Sequence, residues 1–172
     1  MTSLGNIIYF DNNATTKIDP KVLAAVLPFL TNNFANPSCT HHFGISVNET
    51  IKKSRIQVAE FIKAEENEII FTSGATEAVN IALKGVEEHY SEKGKHIITF
   101  STEHYAVLDT CKHLETKGYE ITYLPVSRDG LIDLTELKNA VREDTILVCV
   151  MYVNNETGVI QPIKDIASIA HE

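Results

Sequence analysis

The chain has 172 residues, of which 44% are hydrophobic and 22% are charged, and this ordinary globular composition excludes global disorder. Asp and Glu outnumber Lys and Arg by 23 to 15, so the net charge of −8 argues against binding nucleic acid through bulk charge. The longest apolar run, residues 146–153, is too short to span a membrane. Three cysteines with no C-x-x-C pair favour a reducing, cytoplasmic location over a disulfide framework or a zinc ribbon.

The first third of the chain has the pattern of helices joined by a loop. Residues 7–10 are apolar and predict a short strand or an extended arm. A helix is expected to begin at Pro20 after the N-cap residue Asp19, and Pro28 is expected to kink this helix or end it early. Residues 32–44 are rich in Asn, Pro, Ser and Gly, which predicts a loop that is long for a passive connection.

From residue 45 onwards, helical periodicity alternates with short apolar runs. The spacing of apolar residues predicts a helix over residues 45–63. The predicted strands are 68–72, 96–100, 120–124 and 145–153, and the predicted helices that follow them are 75–90, 104–117, 133–142 and one opened by Pro162. This alternation predicts an α/β fold in which helices cover both faces of a largely parallel sheet. The last helix stops before a cap or a returning strand, so we expect these residues to be the front part of a longer polypeptide; the alternative is that this helix ends the chain.

A small-residue turn joins the strand predicted at 68–72 to the helix that follows it. Gly74 permits the tight turn, and the backbone amides of Ala75 and Thr76, with the Thr76 hydroxyl, could hold a phosphate at the positive end of the helix. The segment lacks the spacing of a nucleotide P-loop or of a dinucleotide-binding fingerprint. The alternative is that Ser73 and Thr76 simply cap the helix.

Two further polar segments follow predicted strands. His104 comes after the strand at 96–100 and can stack on a flat cofactor or move protons, or it is an exposed residue at a helix end. Asn155 comes after the strand at 145–153, and its amide suits a phenolic or carboxylate oxygen, although the segment also has the composition of a turn. Because the carboxyl ends of parallel strands share one edge of a sheet, we expect His104, Asn155 and Thr76 at the same edge.

The remaining histidines do not suggest a metal site. His41 and His42 are adjacent and so cannot share the i, i+4 face that a helical metal site uses. The other four are expected on the surface, namely His89, His96, His113 and His171.

Five strings of residues together resemble the class V aminotransferase-like enzymes, and most closely the cysteine desulfurases of the NifS and IscS kind. They are Tyr9-Phe-Asp-Asn-Asn-Ala-Thr-Thr16, Asn36-Pro-Ser38, Phe71-Thr-Ser-Gly-Ala-Thr-Glu77, Thr102-Glu-His104 and Val153-Asn-Asn-Glu-Thr-Gly158. The resemblance implies the large domain of the pyridoxal-phosphate-dependent transferase fold, in incomplete form. It further implies an N-terminal arm over 1–20, helices and an active-site loop over 21–63, and the front part of the cofactor-binding domain over 64–172.

The resemblance also implies a pyridoxal-phosphate enzyme that converts L-cysteine to L-alanine and leaves an enzyme-bound persulfide for iron–sulfur cluster or thio-cofactor assembly. In such an enzyme Ala75 and Thr76 would hold the cofactor phosphate. His104 would stack on the pyridine ring and take part in proton transfer, and Asn155 would bind the phenolic oxygen. The N-terminal arm and the loop of Asn36 would lie near the substrate entrance and the partner subunit of a homodimer. Scaffold or sulfur-acceptor proteins would be further partners.

The chain also departs from this family. Such enzymes need a Schiff-base lysine in a Ser-x-His-Lys segment and a mobile-loop cysteine that accepts the sulfur, and this sequence has no match to either. Cys111 and Cys149 have the positions of core residues, and Cys39 falls in the predicted loop. We therefore expect the 172 residues alone to be inactive. The alternatives are another class V enzyme, such as a selenocysteine lyase or an aminotransferase-like enzyme, and a non-catalytic fragment that acts as a binding module.

Overall fold

A computed structural model describes residues 8–172, which divide into a first unit that ends at Phe71 and a second unit over Thr72–Glu172. The helices are α1 Pro20–Thr31, α2 His42–Ile62, α3 Ala75–Tyr90, α4 Tyr105–Thr116, α5 Leu134–Ala140 and α6 Ile163–His171. The strands are β1 His96–Phe100, β2 Glu120–Leu124 and β3 Thr145–Val148, and a short 3-10 turn covers Glu66–Glu68. Within residues 8–172, no helix is both long enough and apolar enough to cross a membrane.

Local capping explains where the two helices of the first unit begin. The Asp19 carboxylate accepts the Lys21 N–H at 2.7 Å, which confirms the predicted start of α1 at Pro20. Pro28 does not end this helix, which continues to Thr31, because a proline removes a single backbone donor and its own carbonyl still accepts from the next turn. The predicted loop 32–44 is shorter than expected, because His41 Nδ1 accepts the Gly44 N–H at 3.2 Å and α2 begins at His42.

The strand predicted over residues 68–72 is wrong, since Glu68 ends the 3-10 turn and residues 69–72 join no ladder of the described strands. A strand is defined by its hydrogen-bonded neighbour, and no neighbour is present for this segment among the described residues. The Arg55 side chain holds this segment instead, because its guanidinium donates to the Ile69 carbonyl and lies 4.9 Å from the centre of the Phe71 ring.

At the other end of the unit, residues 8–10 are exposed and pair with no strand, which contradicts a strand there but is compatible with an arm. Residue 7 of that prediction lies outside the described residues.

The described strands of the second unit form a parallel sheet in the order β2-β1-β3, which confirms the predicted α/β architecture. β1 pairs with β2 over its whole length, from His96 opposite Glu120 to Phe100 opposite Leu124. β3 ends at Val148, five residues before its predicted end, because its ladder with β1 ends at the pair of Ile98 and Val148. Thr99 and Phe100 of β1 continue to pair with β2, whereas the chain after Val148 leaves the ladder.

Hydrophobic side chains cover both faces of this sheet. On one face Ile98 and Phe100 of β1 pack with Leu137 of α5 and Ile166 of α6. On the other face two clusters involve α3 and α4, and their buried residues are Leu83, Val107, Cys111, Ile97, Leu114 and Tyr119. Helix α4 contributes Val107, Cys111 and Leu114 to this face, and α3 contributes Leu83, whereas the neighbouring Ala82 is exposed. The alternation of side chains along β1 thus distributes the core between two layers of helices.

His96 is fully buried, which contradicts its predicted place on the surface. It opens the central strand, where the strands on both sides cover it. Its Nδ1 lies 2.7 Å from Thr145 Oγ1, and its Nε2 lies 2.8 Å from Thr122 Oγ1, so the ring bridges all three strands. Burial, with a smaller effect from the positive charge of Arg142, lowers the pKa of His96. His89, His113 and His171 are exposed as predicted.

Candidate active site at the carboxyl end of the sheet

Helices α3 and α4 lie side by side and point in the same direction. Leu83 and Val107, near the middle of α3 and the start of α4, share one buried cluster. Towards the C-terminal ends, Lys117 Nζ lies 3.3 Å from a Glu87 carboxylate oxygen, and the Tyr119 hydroxyl donates to the Glu87 carbonyl at 3.1 Å. The N-termini of both helices therefore lie at one end of the second unit. Because α4 follows shortly after β1, this end is the carboxyl end of the sheet, as the sequence predicts.

The N-terminus of α3 presents unused backbone donors. Gly74 is the N-cap residue and no side chain caps the helix, so the predicted capping by Ser73 and Thr76 is wrong. Instead, the Glu77 carboxylate accepts the N–H and hydroxyl of Ser73 at 2.6 and 2.7 Å, and these bonds lower the pKa of Glu77. Among residues 8–172, no acceptor pairs with the amides of Ala75 and Thr76. These two N–H groups remain available to an anion.

His104 is the N-cap residue of α4 and is exposed. Its Nδ1 accepts the Ala106 N–H at 3.0 Å, which holds the ring in a defined orientation. Because Nδ1 acts as an acceptor, this bond assigns the proton of the neutral ring to Nε2. The ring therefore offers one N–H donor and one exposed flat face. The interpretation as a helix-terminal residue and the interpretation as a functional residue both agree with this geometry.

The segment that carries Asn155 is a turn closed by its neighbour Asn154. Asn154 Oδ1 accepts the N–H groups of Glu156 and Thr157 at 3.0 and 2.9 Å. Asn154 Nδ2 donates to the Thr102 carbonyl at 3.1 Å, which ties the turn to the segment before His104. Asn155 itself is half-buried, and its Nδ2 donates to a Glu156 carboxylate oxygen at 3.2 Å. The predicted turn is present, and the structure brings the segments of His104 and Asn155 together.

Glu103 is a buried carboxyl group that the sequence interpretation missed. The residue is only 8% exposed, and its carboxylate accepts the Met151 N–H at 2.6 Å. Burial raises the pKa of Glu103, and the hydrogen bond from Met151 opposes this effect only in part. The sequence pattern around Glu103, with a threonine before it and a histidine after it, does not predict that its side chain is buried. Only the partner 48 positions away reveals its role.

Two of the three free cysteines are held in the protonated form. Burial raises the pKa of Cys111 to about 11, and the pKa of Cys149 to about 12, with a further contribution from the nearby Glu103 charge. A thiol acts as a nucleophile only when it is ionised, so neither is suited to react. Cys111 lies in a core cluster and Cys149 packs against it, as predicted. Cys39 is half-buried in the loop of the first unit.

Asn36 belongs to the first unit, where it builds a local turn. Its Oδ1 accepts the Ser38 N–H at 2.9 Å, and its carbonyl accepts the Cys39 N–H at 3.1 Å. This is the turn chemistry expected of an Asn-Pro pair. The role of Asn36 near a substrate entrance stays a prediction.

Comparison with known proteins gives a consistent family match. The family model of the class-V aminotransferases matches residues 8–172. The chain is 52% identical over 166 residues to the cysteine desulfurase IscS of Rickettsia massiliae, which covers 96% of this chain and 40% of that protein. A solved NifS-like protein superposes with a TM-score of 0.91 at 44% identity, over 94% of this chain and 44% of that structure. SspA, solved in complex with cysteine, superposes with a TM-score of 0.89 at 40% identity, over 95% of this chain and 47% of that structure. The chain thus spans less than half the length of these relatives.

Proposed function

Because the chain belongs to the class-V aminotransferase family, we propose that it supplies the amino-terminal part of a cysteine desulfurase. The complete enzyme would convert L-cysteine to L-alanine and retain the sulfur as an enzyme-bound persulfide for iron–sulfur cluster or thio-cofactor assembly. The identity of 52% with a cysteine desulfurase supports the reaction, and the likeness to a structure solved with cysteine supports the substrate.

The donors at the carboxyl end of the sheet fit pyridoxal phosphate, the cofactor on which class-V aminotransferases and cysteine desulfurases depend. The unused amides of Ala75 and Thr76 and the exposed Thr76 hydroxyl would hold its phosphate, and the positive end of the 16-residue helix α3 would favour the negative charge. His104 would cover one face of the ring, and the Asn155 amide would donate to the phenolic oxygen. Bound there, the cofactor would supply an electron sink for the substrate carbon next to the amino group.

The residues of this chain would mainly orient groups and handle protons. With Nδ1 of His104 engaged by the Ala106 N–H, Nε2 is the ring atom that can hold or deliver a proton. The hydrogen bond from Asn154 to the Thr102 carbonyl would keep the adjacent Asn155 near the His104 segment. Neither Cys111 nor Cys149 would accept the sulfur, because both thiols stay protonated. We propose that the Schiff-base lysine and the acceptor cysteine come from the rest of the enzyme, so that these 172 residues alone are inactive.

The observation that carries this proposal is the convergence of unused amides, a histidine and an asparagine turn at one end of a parallel sheet. The direct test supplies the protein that contains this chain with pyridoxal phosphate, L-cysteine and a dithiol reductant, which releases the persulfide sulfur as sulfide, and measures L-alanine and sulfide. We expect equimolar alanine and persulfide sulfur, and expect Thr76→Ala to weaken cofactor binding about tenfold by removing a phosphate donor. Ser168→Ala, on the exposed side of α6, serves as a matched control. Turnover of selenocysteine but not of cysteine would identify a selenocysteine lyase instead.

We also propose the setting in which this activity operates. The three free thiols support a cytoplasmic, reducing location. A homodimer is supported by the exposed apolar side chains of α1, which are Val22, Leu23, Val26, Leu27 and Leu30. The arm over residues 1–20 and the loop of Asn36, within 21–63, would lie near the substrate entrance and the partner subunit. Residues 64–172 would form the front part of the cofactor-binding domain, and scaffold or sulfur-acceptor proteins would receive the sulfur.

A further inference from the structure

The chains that leave β1 and β3 stay joined after the regular ladder has ended. The last main-chain bond between them runs from the Cys149 N–H to the Ile98 carbonyl at 2.9 Å. Beyond it, the Thr99 hydroxyl donates to the Cys149 carbonyl at 3.2 Å. Two side-chain hydrogen bonds then follow. The Met151 N–H donates to the Glu103 carboxylate, and the Asn154 amide donates to the Thr102 carbonyl. Side chains therefore take over from the main chain where the sheet opens.

These last two contacts are reciprocal. Glu103, on the β1 side, accepts a main-chain N–H of the β3 side at 2.6 Å. Asn154, on the β3 side, donates to a main-chain carbonyl of the β1 side at 3.1 Å. Each of these residues immediately precedes a residue to which the proposed function assigns a role at the cofactor. Glu103 is followed by His104, and Asn154 is followed by Asn155.

We propose that Glu103 and Asn154 form a clamp that sets the position of His104 relative to Asn155, so that both are positioning residues for the cofactor ring. The inference rests on the proposed function for the identity of that ring, but the clamp itself rests only on the contacts above. A pair of opposed contacts fixes the offset between two chain segments, which a single bond would leave free to pivot. Small errors of placement at a reacting centre are costly, because a shift of about 1 Å can lower a rate about 100-fold.

The Glu103 side of the clamp carries an energetic cost. The Glu103 carboxyl is buried, and this burial raises its pKa, so at neutral pH the ionised form is less favourable in the folded protein than in water. A neutral glutamine has a carbonyl oxygen at nearly the same place and can accept the same N–H without that cost. Glu103→Gln should therefore keep the clamp, whereas Glu103→Ala should open it.

The test uses the complete enzyme with pyridoxal phosphate and compares Glu103→Ala, Glu103→Gln and Asn154→Ala, with Glu88→Ala on the exposed side of α3 as the control. Hydrogen exchange of the Met151 amide reports on the clamp directly. We expect exchange at least about tenfold faster in Glu103→Ala and unchanged in Glu103→Gln. The visible absorption and circular dichroism of the bound cofactor should change in Glu103→Ala while its affinity changes by less than about threefold, because the phosphate donors on α3 are untouched.

Kinetics on L-cysteine separate positioning from general loss of stability. In Glu103→Ala, we expect kcat to fall about 10- to 100-fold with KM changed by less than about threefold, and Glu103→Gln to recover most of kcat. The double variant E103A/N154A should lose less than the product of the two single losses, because both residues serve one clamp. Unchanged Met151 exchange, or unchanged kcat and cofactor spectrum in Glu103→Ala, would overturn the inference. If the wild-type enzyme forms no alanine from L-cysteine, the proposed function fails, while the exchange and cofactor spectra still decide the clamp.

Discussion

Replacement of His96 by alanine is the most informative test of how the sheet is held together. The imidazole is fully buried at the start of the central strand and contacts hydroxyl groups on both neighbouring strands. In His96→Ala, Thr122 loses this partner, whereas Thr145 keeps the Arg142 N–H, which donates to its hydroxyl at 2.8 Å. The variant would also leave a cavity of about the size of the ring. The unpaired hydroxyl and the cavity together should lower the free energy of unfolding by about 3 kcal/mol.

Two further variants divide this cost into its parts. Thr122→Val keeps the shape of the side chain but removes one hydrogen bond to His96, and should cost about 1 kcal/mol. His113→Ala removes an exposed histidine on α4 and should change stability by less than about 0.5 kcal/mol. Urea denaturation at pH 7.5, followed by far-ultraviolet circular dichroism, measures all three. A loss in His96→Ala no larger than that in His113→Ala would refute the argument that the buried ring holds the three strands.

The same residue predicts a pH dependence with a defined sign. The pKa of His96 in the folded protein is below its ordinary value of 6.5, so the unfolded chain binds more protons just below pH 6.5. Stability should therefore fall as the pH is lowered from 6.5 towards the folded pKa, and His96→Ala should remove this slope. The charged groups that act on the ring are Arg142, Asp144 and Glu120. Bonds to Arg142 lower the pKa values of the two carboxyls, so their own stabilisation is lost only at more acidic pH.

Three further predictions concern single positions. Asp133→Ala should lower the free energy of unfolding by about 1 kcal/mol, because the Asp133 carboxylate caps α5; thermal melting measures this loss, and an unchanged midpoint would contradict it. Gly158→Ala should cost about 1 kcal/mol in urea denaturation, because Gly158 has a φ of +74° that alanine adopts poorly, and a neutral effect would speak against that strain. At pH 8, iodoacetamide should modify Cys39 well before Cys111 or Cys149, whose thiolate fractions are about 0.001 or less; peptide mass spectrometry decides this, and equal labelling would disprove the burial argument.

Elements with a strong local signal were predicted with their observed bounds. The helix Ala75–Tyr90 and the strands His96–Phe100 and Glu120–Leu124 agree residue by residue with the sequence interpretation. Their apolar periodicity and their flanking Gly, Ser and charged residues lie within the segments themselves. The strand expected at 68–72 failed for the opposite reason, because a strand needs a partner and its own sequence cannot supply one. The start of α2 at His42 depended on a histidine acting as an N-cap, which is outside the usual set of capping residues.

The sequence by itself predicted the fold class and the candidate site residues, whose chemical roles stay predictions. His104 and Asn155 were predicted from local motifs that follow parallel strands, and the rule for such strands puts both at one edge. Thr76 does not follow a strand, and the packing of α3 beside α4 brings its helix N-terminus to that end. Only the tertiary structure decided which polar groups are buried, because burial depends on neighbours that are distant along the chain. Glu103 meets a partner 48 positions away, and His96 meets threonines 26 and 49 positions away. A charged or titratable side chain looks the same in a sequence whether it faces water or closes a sheet, and its surroundings determine its role.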